Sequence, residues 1–243
     1  MRTRSRGAIA LALLSLASCS RERAPTRSPT PTAADTTREA RLPHFDVSGV
    51  RLTIVEQALE PRLPLPPGAL AAFNGGFFDE GGRAEGYAVS EGRLLAPYDR
   101  SLGGGVLVVG DGRAILHDGE TFAPPAPPPD FAVQARPRLV VDGAVNIRSE
   151  TGRRAARTAL CLRDEGRSLE VVVRPAPPQA GPTLLELARE LAAAGCEDAL
   201  NLDGGPSTGL VTPTERHLPR GPIRHVLVVA PRSATPPRTP RPR

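Results

Sequence analysis

Ala71-Ala72-Phe73-Asn74-Gly75-Gly76-Phe77-Phe78-Asp79 runs an apolar stretch straight into Asn-Gly-Gly. Asn201-Leu202-Asp203-Gly204-Gly205-Pro206-Ser207-Thr208 does the same into Asp-Gly-Gly. Paired glycines let the backbone bend sharply and leave its N–H groups uncovered by side chains. The polar residue ahead of them is then held at the end of a strand. The two corners lie about 130 residues apart and read as two halves of one site. Asn-Gly and Asp-Gly are also common hairpin turns, so either segment alone is equally a plain turn. Two details favour a site. Hairpin tips are usually polar, yet Phe73, Phe77 and Phe78, half of the six Phe, flank the first corner. Pro206 follows the second glycine pair, where a returning strand rarely starts.

The segment upstream of the second corner is a helix. Thr183-Leu184-Leu185-Glu186 forms a capping box. Leu184, Leu187, Ala188 and Leu191 repeat at helical spacing, with Arg189 and Glu190 on the other side. Gly195 stops it. The helix over about 183–194 delivers the chain into a strand at 198–202 and then into Asp203, a rigid mount for a side chain that must be placed accurately. Further strands are expected at 50–56, 70–73, 86–90, 105–109, 113–117, 138–142, 157–162, 168–173 and 224–230. Gly110-Asp111-Gly112 and Asp142-Gly143 are turn signals between them. Residues 124–129, Pro-Pro-Ala-Pro-Pro-Pro, read as a stiff surface connector. The expected fold class is α+β, a single domain built on a β-rich mixed sheet with few helices.

Composition narrows the chemistry. Pro and Gly, 28 and 24 of 243 residues, favour turns and short strands over long helices. Every basic residue is Arg, which excludes a Schiff-base lysine and a P-loop lysine. Residues 1–41 and 232–243 hold 12 of the 31 Arg but only three acids, Glu22, Asp35 and Glu39. The remainder carries 19 Arg against 23 acids, a formal charge of −4. The high isoelectric point belongs to the ends of the chain, and a nucleic-acid partner loses its main support.

Residues 1–19 read as a targeting segment. Arg2, Arg4 and Arg6 form a basic region, and Ala8 to Leu16 a short apolar one, too short to span as a mature helix. Leu16-Ala17-Ser18-Cys19 is similar to a bacterial lipobox, which implies cleavage before Cys19 and lipidation of its thiol; an ordinary secretory signal with an incidental Cys is the alternative. Ser20, rather than Asp, favours the outer membrane in a Gram-negative cell. Residues 20–42 read as a tether, 43–231 as the folded domain and 232–243 as a tail. Cys161 and Cys196 could form a disulfide in an oxidising compartment or remain two separate buried thiols. No Cys/His metal spacing exists, and His44, His117, His217 and His225 are scattered.

The motifs together resemble the phosphodiester glycosidase family, which includes the enzyme that uncovers mannose 6-phosphate by removing a capping N-acetylglucosamine. The matching stretches are Phe73 to Asp79, Gly86 to Gly92, Ala132-Val133-Gln134, Pro137 to Gly143, Ala156-Arg157-Thr158-Ala159, Gly181 to Ala194 and Asp198 to Thr208. They span roughly 65–230 in order, and ordered co-occurrence is far more specific than any single piece. One departure is Ala135-Arg136-Pro137, where the family usually has Ser-Gly-Pro. Arg136 there either blocks the pocket or adds an anion contact.

The resemblance implies hydrolysis of a sugar-1-phosphodiester, N-acetylhexosamine-like, at the anomeric carbon. The leaving phosphate ester is already stable as an anion, so strong general-acid help is less necessary than for an ordinary glycoside. Charge stabilisation and a base or nucleophile are needed instead. Arg157, at the start of a buried strand, has a fork that fits phosphate oxygens; a structural ion pair with Asp79 or Asp203 is the plain alternative. Asp203 and Asp79 are the candidate catalytic carboxylates, with Glu85 a weaker third. Asn74 and Gln134 are expected to bind sugar hydroxyls or an acetamido group, and the Gly75-Gly76 and Gly204-Gly205 amides to form an anion nest. Ser207 has no supporting His in the motif and reads as a hydrogen-bonding residue rather than a nucleophile. Direct water attack and attack by a substrate acetamido carbonyl both stay open. No cofactor is expected; a divalent cation near Asp79 and Asp203 is conceivable, without a metal loop to hold it. The expected partners are a sugar-phosphate or envelope glycan and, through lipid, the membrane. A tethered binding module without turnover and a structural envelope lipoprotein are the competing readings.

Overall fold

Asp111 and Gly112 both adopt positive φ, 49° and 72°, and so do Asp142 and Gly143, 49° and 74°. That backbone matches the right-handed twist of flanking strands and closes two tight hairpins. Such turns join neighbours into antiparallel pairs, and the whole fold follows that rule. The computed structural model describes residues 43–149, 151–177 and 180–232. The expected signal segment with Cys19, the tether and the tail from residue 233 lie outside the described residues.

Three antiparallel sheets form. The first has the order β1 (His44–Asp46), β12 (Ser168–Arg174), β11 (Arg157–Arg163), β13 (Asp198–Asn201), β9 (Arg138–Val141) and β10 (Ala144–Val145). The second runs β15 (Arg216–His217), β14 (Leu210–Val211), β3 (Ala71–Asn74), β16 (Ile223–Pro231) and β2 (Val50–Glu60). The third runs β5 (Arg93–Ala96), β4 (Ala88–Ser90), β8 (Phe131–Ala135), β6 (Gly105–Gly110) and β7 (Arg113–Asp118). The mixed sheet expected from sequence is therefore corrected: every strand pair among the described residues is antiparallel. A parallel pair needs a long crossover, usually helical. The one α-helix among the described residues, α1 (Leu184–Ala193), does connect two parallel strands, β12 and β13, but β11 lies between them and pairs antiparallel with each.

All three sheets bury one face in a common core. Leu160, Leu169 and Leu200 enter it from the first sheet, Phe73 and Leu227 from the second, and Leu107, Phe131 and Val133 from the third. The opposite face of the first sheet is covered too. Its Ala159, Cys161 and Ala199 pack against Leu187, Ala188 and Leu191 of α1. Burial on both faces explains why β11 reads as a continuous apolar run rather than an alternation. Each of the two buried leucines of α1 contributes roughly 1.5–3 kcal/mol.

The helix forms as its sequence predicts. The Thr183 side chain accepts from the Glu186 N–H at 3.2 Å, and Glu186 accepts from the Thr183 N–H at 3.1 Å. Gly195 ends the helix at φ +85°. Cys196, just beyond, forms a disulfide with Cys161 of β11, their Cα atoms 5.5 Å apart. Of the two states left open for these thiols, the fold adopts the bridge. It staples the end of α1 to the sheet, and closing a loop of this length stabilises by about 4 kcal/mol. No helix among the described residues is long and apolar enough to cross a membrane.

Candidate functional site at the meeting of two glycine corners

The first corner leaves the end of β3. Beside it, β16 holds the chain: the Gly75 N–H donates to the His225 carbonyl at 2.9 Å. A side chain at Gly75 would come within 2.5 Å of Leu227 Cδ1 and 2.8 Å of His225 Cβ, so only glycine fits. The second corner leaves β13 and docks on the first. The Asp203 N–H donates to the Gly75 carbonyl at 3.2 Å, and Asn74 Nδ2 donates to the Asp203 carbonyl at 2.7 Å.

Asn74 is the bracket between them. It is fully buried. Its Oδ1 accepts from Thr158 Oγ1 at 2.7 Å and from the Gly209 N–H at 3.0 Å. One amide thereby joins strands β3 and β11 and Gly209, the residue before β14, to the Asp203 corner. The expected role for Asn74, a contact with substrate hydroxyls, is corrected on this geometry, since a buried amide with these three bonds has no face to offer a ligand.

Asp203 itself sits at the surface of this junction, partly exposed. Burial of its carboxyl raises its pKa above the ordinary Asp value, opposed by a hydrogen bond from the Ser207 side chain, by the Gly204 N–H and by the charge of Arg153. The Gly204 N–H reaches Oδ1 at 2.8 Å. The start of β11 runs along this corner. The Leu202 N–H donates to the Thr158 carbonyl at 2.9 Å and the Gly205 N–H to the Ala156 carbonyl at 2.8 Å. Gly204 allows that approach, because a Cβ there would lie 3.0 Å from the Ala156 oxygen.

Arg157 is thereby seated beside Gly204 and is 8% exposed. Its Nη2 donates to the Arg153 carbonyl at 2.8 Å and its Nε to the Pro182 carbonyl at 3.3 Å. These neutral acceptors orient the fork. A cationic fork and a partly buried carboxyl on one corner form an arrangement suited to an anion next to a polar bond.

The remaining predicted residues fall elsewhere. Asp79 caps its own loop: Oδ1 accepts from the Arg83 N–H at 2.8 Å and Oδ2 pairs with Arg83 Nε at 3.0 Å. The Arg83 backbone hydrogen bond is the chief reason its pKa is held low. Glu85 is exposed in the same loop. Gln134 is 1% exposed. Its Oε1 accepts from the Tyr87 and Asp99 N–H groups, and its Nε2 donates to the Asp99 and Gly103 carbonyls. The expectation that Gln134 binds sugar is corrected: it fastens the 99–103 segment to β8. Ser207 is buried and donates to the Pro222 carbonyl at 3.0 Å. Its one hydroxyl proton serves Pro222 or Asp203, not both at once. The expected four-amide anion nest is also corrected. The N–H groups of Gly75, Gly204 and Gly205 already have acceptors within the protein, which leaves Gly76.

Sequence reasoning missed Thr158, whose hydroxyl holds Asn74, Arg153, whose charge acts on Asp203, and His225, which receives the Gly75 N–H. Thr158 was detectable as a lone polar residue in an apolar strand. His225 is 2% exposed, and burial lowers its pKa to about 4. Among the described residues no cluster of three or more His, Cys, Asp or Glu could hold a metal ion.

A sequence model of the phosphodiester glycosidase family matches residues 67–231, and the chain belongs to that family. Its fold is similar to the catalytic domain of zebrafish N-acetylglucosamine-1-phosphodiester alpha-N-acetylglucosaminidase, auto-inhibited by its pro-peptide, with a TM-score of 0.60 and 19% identity over 79% of this chain and 76% of that one. A hypothetical protein from Synechocystis gives a TM-score of 0.55 at 15% identity, over 79% of this chain and 59% of that one. A protein of Burkholderia pseudomallei described as exported gives 0.53 at 17% identity, over 77% and 73%. At these identities the structures speak for the fold alone. A search of curated proteins finds no match.

Proposed function

We propose that the protein hydrolyses sugar-1-phosphodiesters at the anomeric carbon, with an N-acetylhexosamine-like sugar, in the cell envelope. The observation that carries this reading is the Asp203 carboxyl, its pKa raised by burial, on the same corner as the buried Arg157 fork. Arg157 would stabilise the phosphate, whose oxygens match a guanidinium fork. Cleavage of the bond between the anomeric carbon and the ester oxygen sends the electron pair to a phosphate that needs no proton to leave. Asp203 would take the proton from the attacking water, and a raised pKa makes it a better base for that step. Membership of the family supports the reaction class.

The test is an assay of purified protein against a panel of sugar-1-phosphodiesters that vary in sugar and in leaving group. Release of free sugar and phosphate monoester from at least one is expected. Tight binding of the panel with no product would instead identify a binding module.

The envelope location rests on Leu16-Ala17-Ser18-Cys19, the lipobox-like stretch. Cys19→Ser is expected to leave the precursor unprocessed or to release the protein from membranes. Unchanged processing and membrane partitioning on fractionation would refute lipidation at this residue.

A further inference from the structure

A cavity of about 210 Å³ opens beside Gly205, two residues past Asp203, and Ala156, Thr208, Arg216, His217 and Arg220 contribute to its lining. The lining contains no carboxylate. His217 is held against Glu215 at 2.8 Å. The guanidinium groups of Arg216 and Arg220 are different: both residues are exposed, and neither side chain has a hydrogen bond or ion pair among the described residues. The hydroxyl of Thr208 is buried and has no hydrogen-bond partner there either. Buried polar groups are nearly always paired. Two unpaired cations at a recess without a carboxylate are a local excess of positive charge.

The cavity adjoins the Asp203 corner through two of its lining residues. Gly205 and Ala156 both line it and are hydrogen-bonded to each other, and Arg157 is the next residue of that strand. The Arg220 and Gly221 N–H groups donate to the Pro206 carbonyl at 2.8 and 2.9 Å, which fixes the Arg220 turn onto the Asp203 corner. The recess with Arg216 and Arg220 therefore flanks the corner that carries Asp203.

We infer that this cavity is a subsite for an oxyanion on the leaving group, so that the preferred substrate carries a phosphate or carboxylate beyond the scissile phosphodiester. The inference rests on the proposed hydrolysis for its kinetic consequence, but not for binding. Phosphate and carboxylate share the recognition chemistry of an Arg fork, and the assay separates them.

Two measurements test it, with Arg216→Ala/Arg220→Ala as the variant. Both side chains are exposed, so the variant is expected to keep its thermal melt. By calorimetry at low ionic strength, inorganic pyrophosphate should bind the wild type and lose about tenfold or more in affinity in the variant, on the scale of losing charge-assisted hydrogen bonds. Absent binding, or equal affinity in both proteins, overturns the subsite. In turnover, substrates sharing one sugar are compared with a neutral, a carboxylate-bearing or a phosphate-bearing leaving group. The wild type should show a KM about tenfold lower for at least one anionic substrate than for the neutral one. That ratio should collapse toward one in the variant. Equal KM values in the wild type overturn the inference. If nothing in the panel is hydrolysed, the hydrolase reading fails, and the calorimetry alone decides the subsite.

Discussion

Asp203→Asn is expected to lower turnover by at least ~10²-fold, the lower range for removing a base or an electrostatic stabiliser, without loss of the fold. The substitution keeps the shape, and the Asn oxygen can still accept from the Gly204 N–H. What it removes is the charge and the basicity. The same change should raise stability at neutral pH. Burial raises the pKa of Asp203 in the folded protein, so folding disfavours the ionised form. Between the ordinary Asp value and the raised folded value, the unfolded chain has lost the proton and the folded one retains it. Stability therefore falls as pH rises through that window. Above it the full penalty is present, and Asn removes it. Below the ordinary Asp value both states are protonated and the advantage of Asn vanishes. Thermal melts of both proteins at neutral and acid pH, with hydrolysis assays on the same samples, check the two halves together. A turn-forming Asp predicts the opposite pattern, since Asn serves equally well in such turns. Near-normal rates with a normal melt would remove Asp203 from the chemistry.

Asn74→Ala should be the most destabilising polar substitution at this site. It strands the Asp203 carbonyl, the Thr158 hydroxyl and the Gly209 N–H in a buried junction. A buried group left without its partner costs about 1–3 kcal/mol, and three together place the loss at roughly 3–5 kcal/mol, toward the extreme for single substitutions. Turnover should fall as well, because the backbone of Asp203 loses its tie to the first corner. Asn74→Asp separates geometry from volume. It can still accept from Thr158 and Gly209, but it cannot donate to the Asp203 carbonyl and it buries a charge. It should therefore be no more stable than the Ala variant. Denaturant unfolding measures both. A loss under ~1 kcal/mol, no more than a typical substitution costs, would contradict the bracket role.

How far the site was legible in the sequence depends on the residue. Asp203 and Arg157 were marked by local signals: a strand end before two glycines, and a charge at the start of an apolar strand. Asn74 carried the same signal as Asp203, and its position at the junction was legible, but its task was not. Gln134 was expected to be a ligand contact because it ends one of the stretches that resemble the family. It is instead saturated by the backbone of residues 87, 99 and 103. A side chain's hydrogen-bond partners come from anywhere in the chain, and one-dimensional spacing does not count them. The strands β1, β5, β8, β10, β14 and β15, each of five residues or fewer, were not expected either.

The sequence by itself determined the features that act over a few residues. These are the capped helix ending at Gly195, the hairpins at Asp111-Gly112 and Asp142-Gly143, and the sharp corners at the two glycine pairs. Their physics is torsional preference and short-range hydrogen bonding, both written in neighbouring side chains. The tertiary structure alone decided that the sheets are wholly antiparallel, that Cys161 and Cys196 are bridged, and that Asn74 locks one corner onto the other. Each of these joins atoms whose separation along the chain is tens to more than a hundred residues. Such contacts form where burial of three sheets in one core brings the segments together, and that packing is a property of the whole fold.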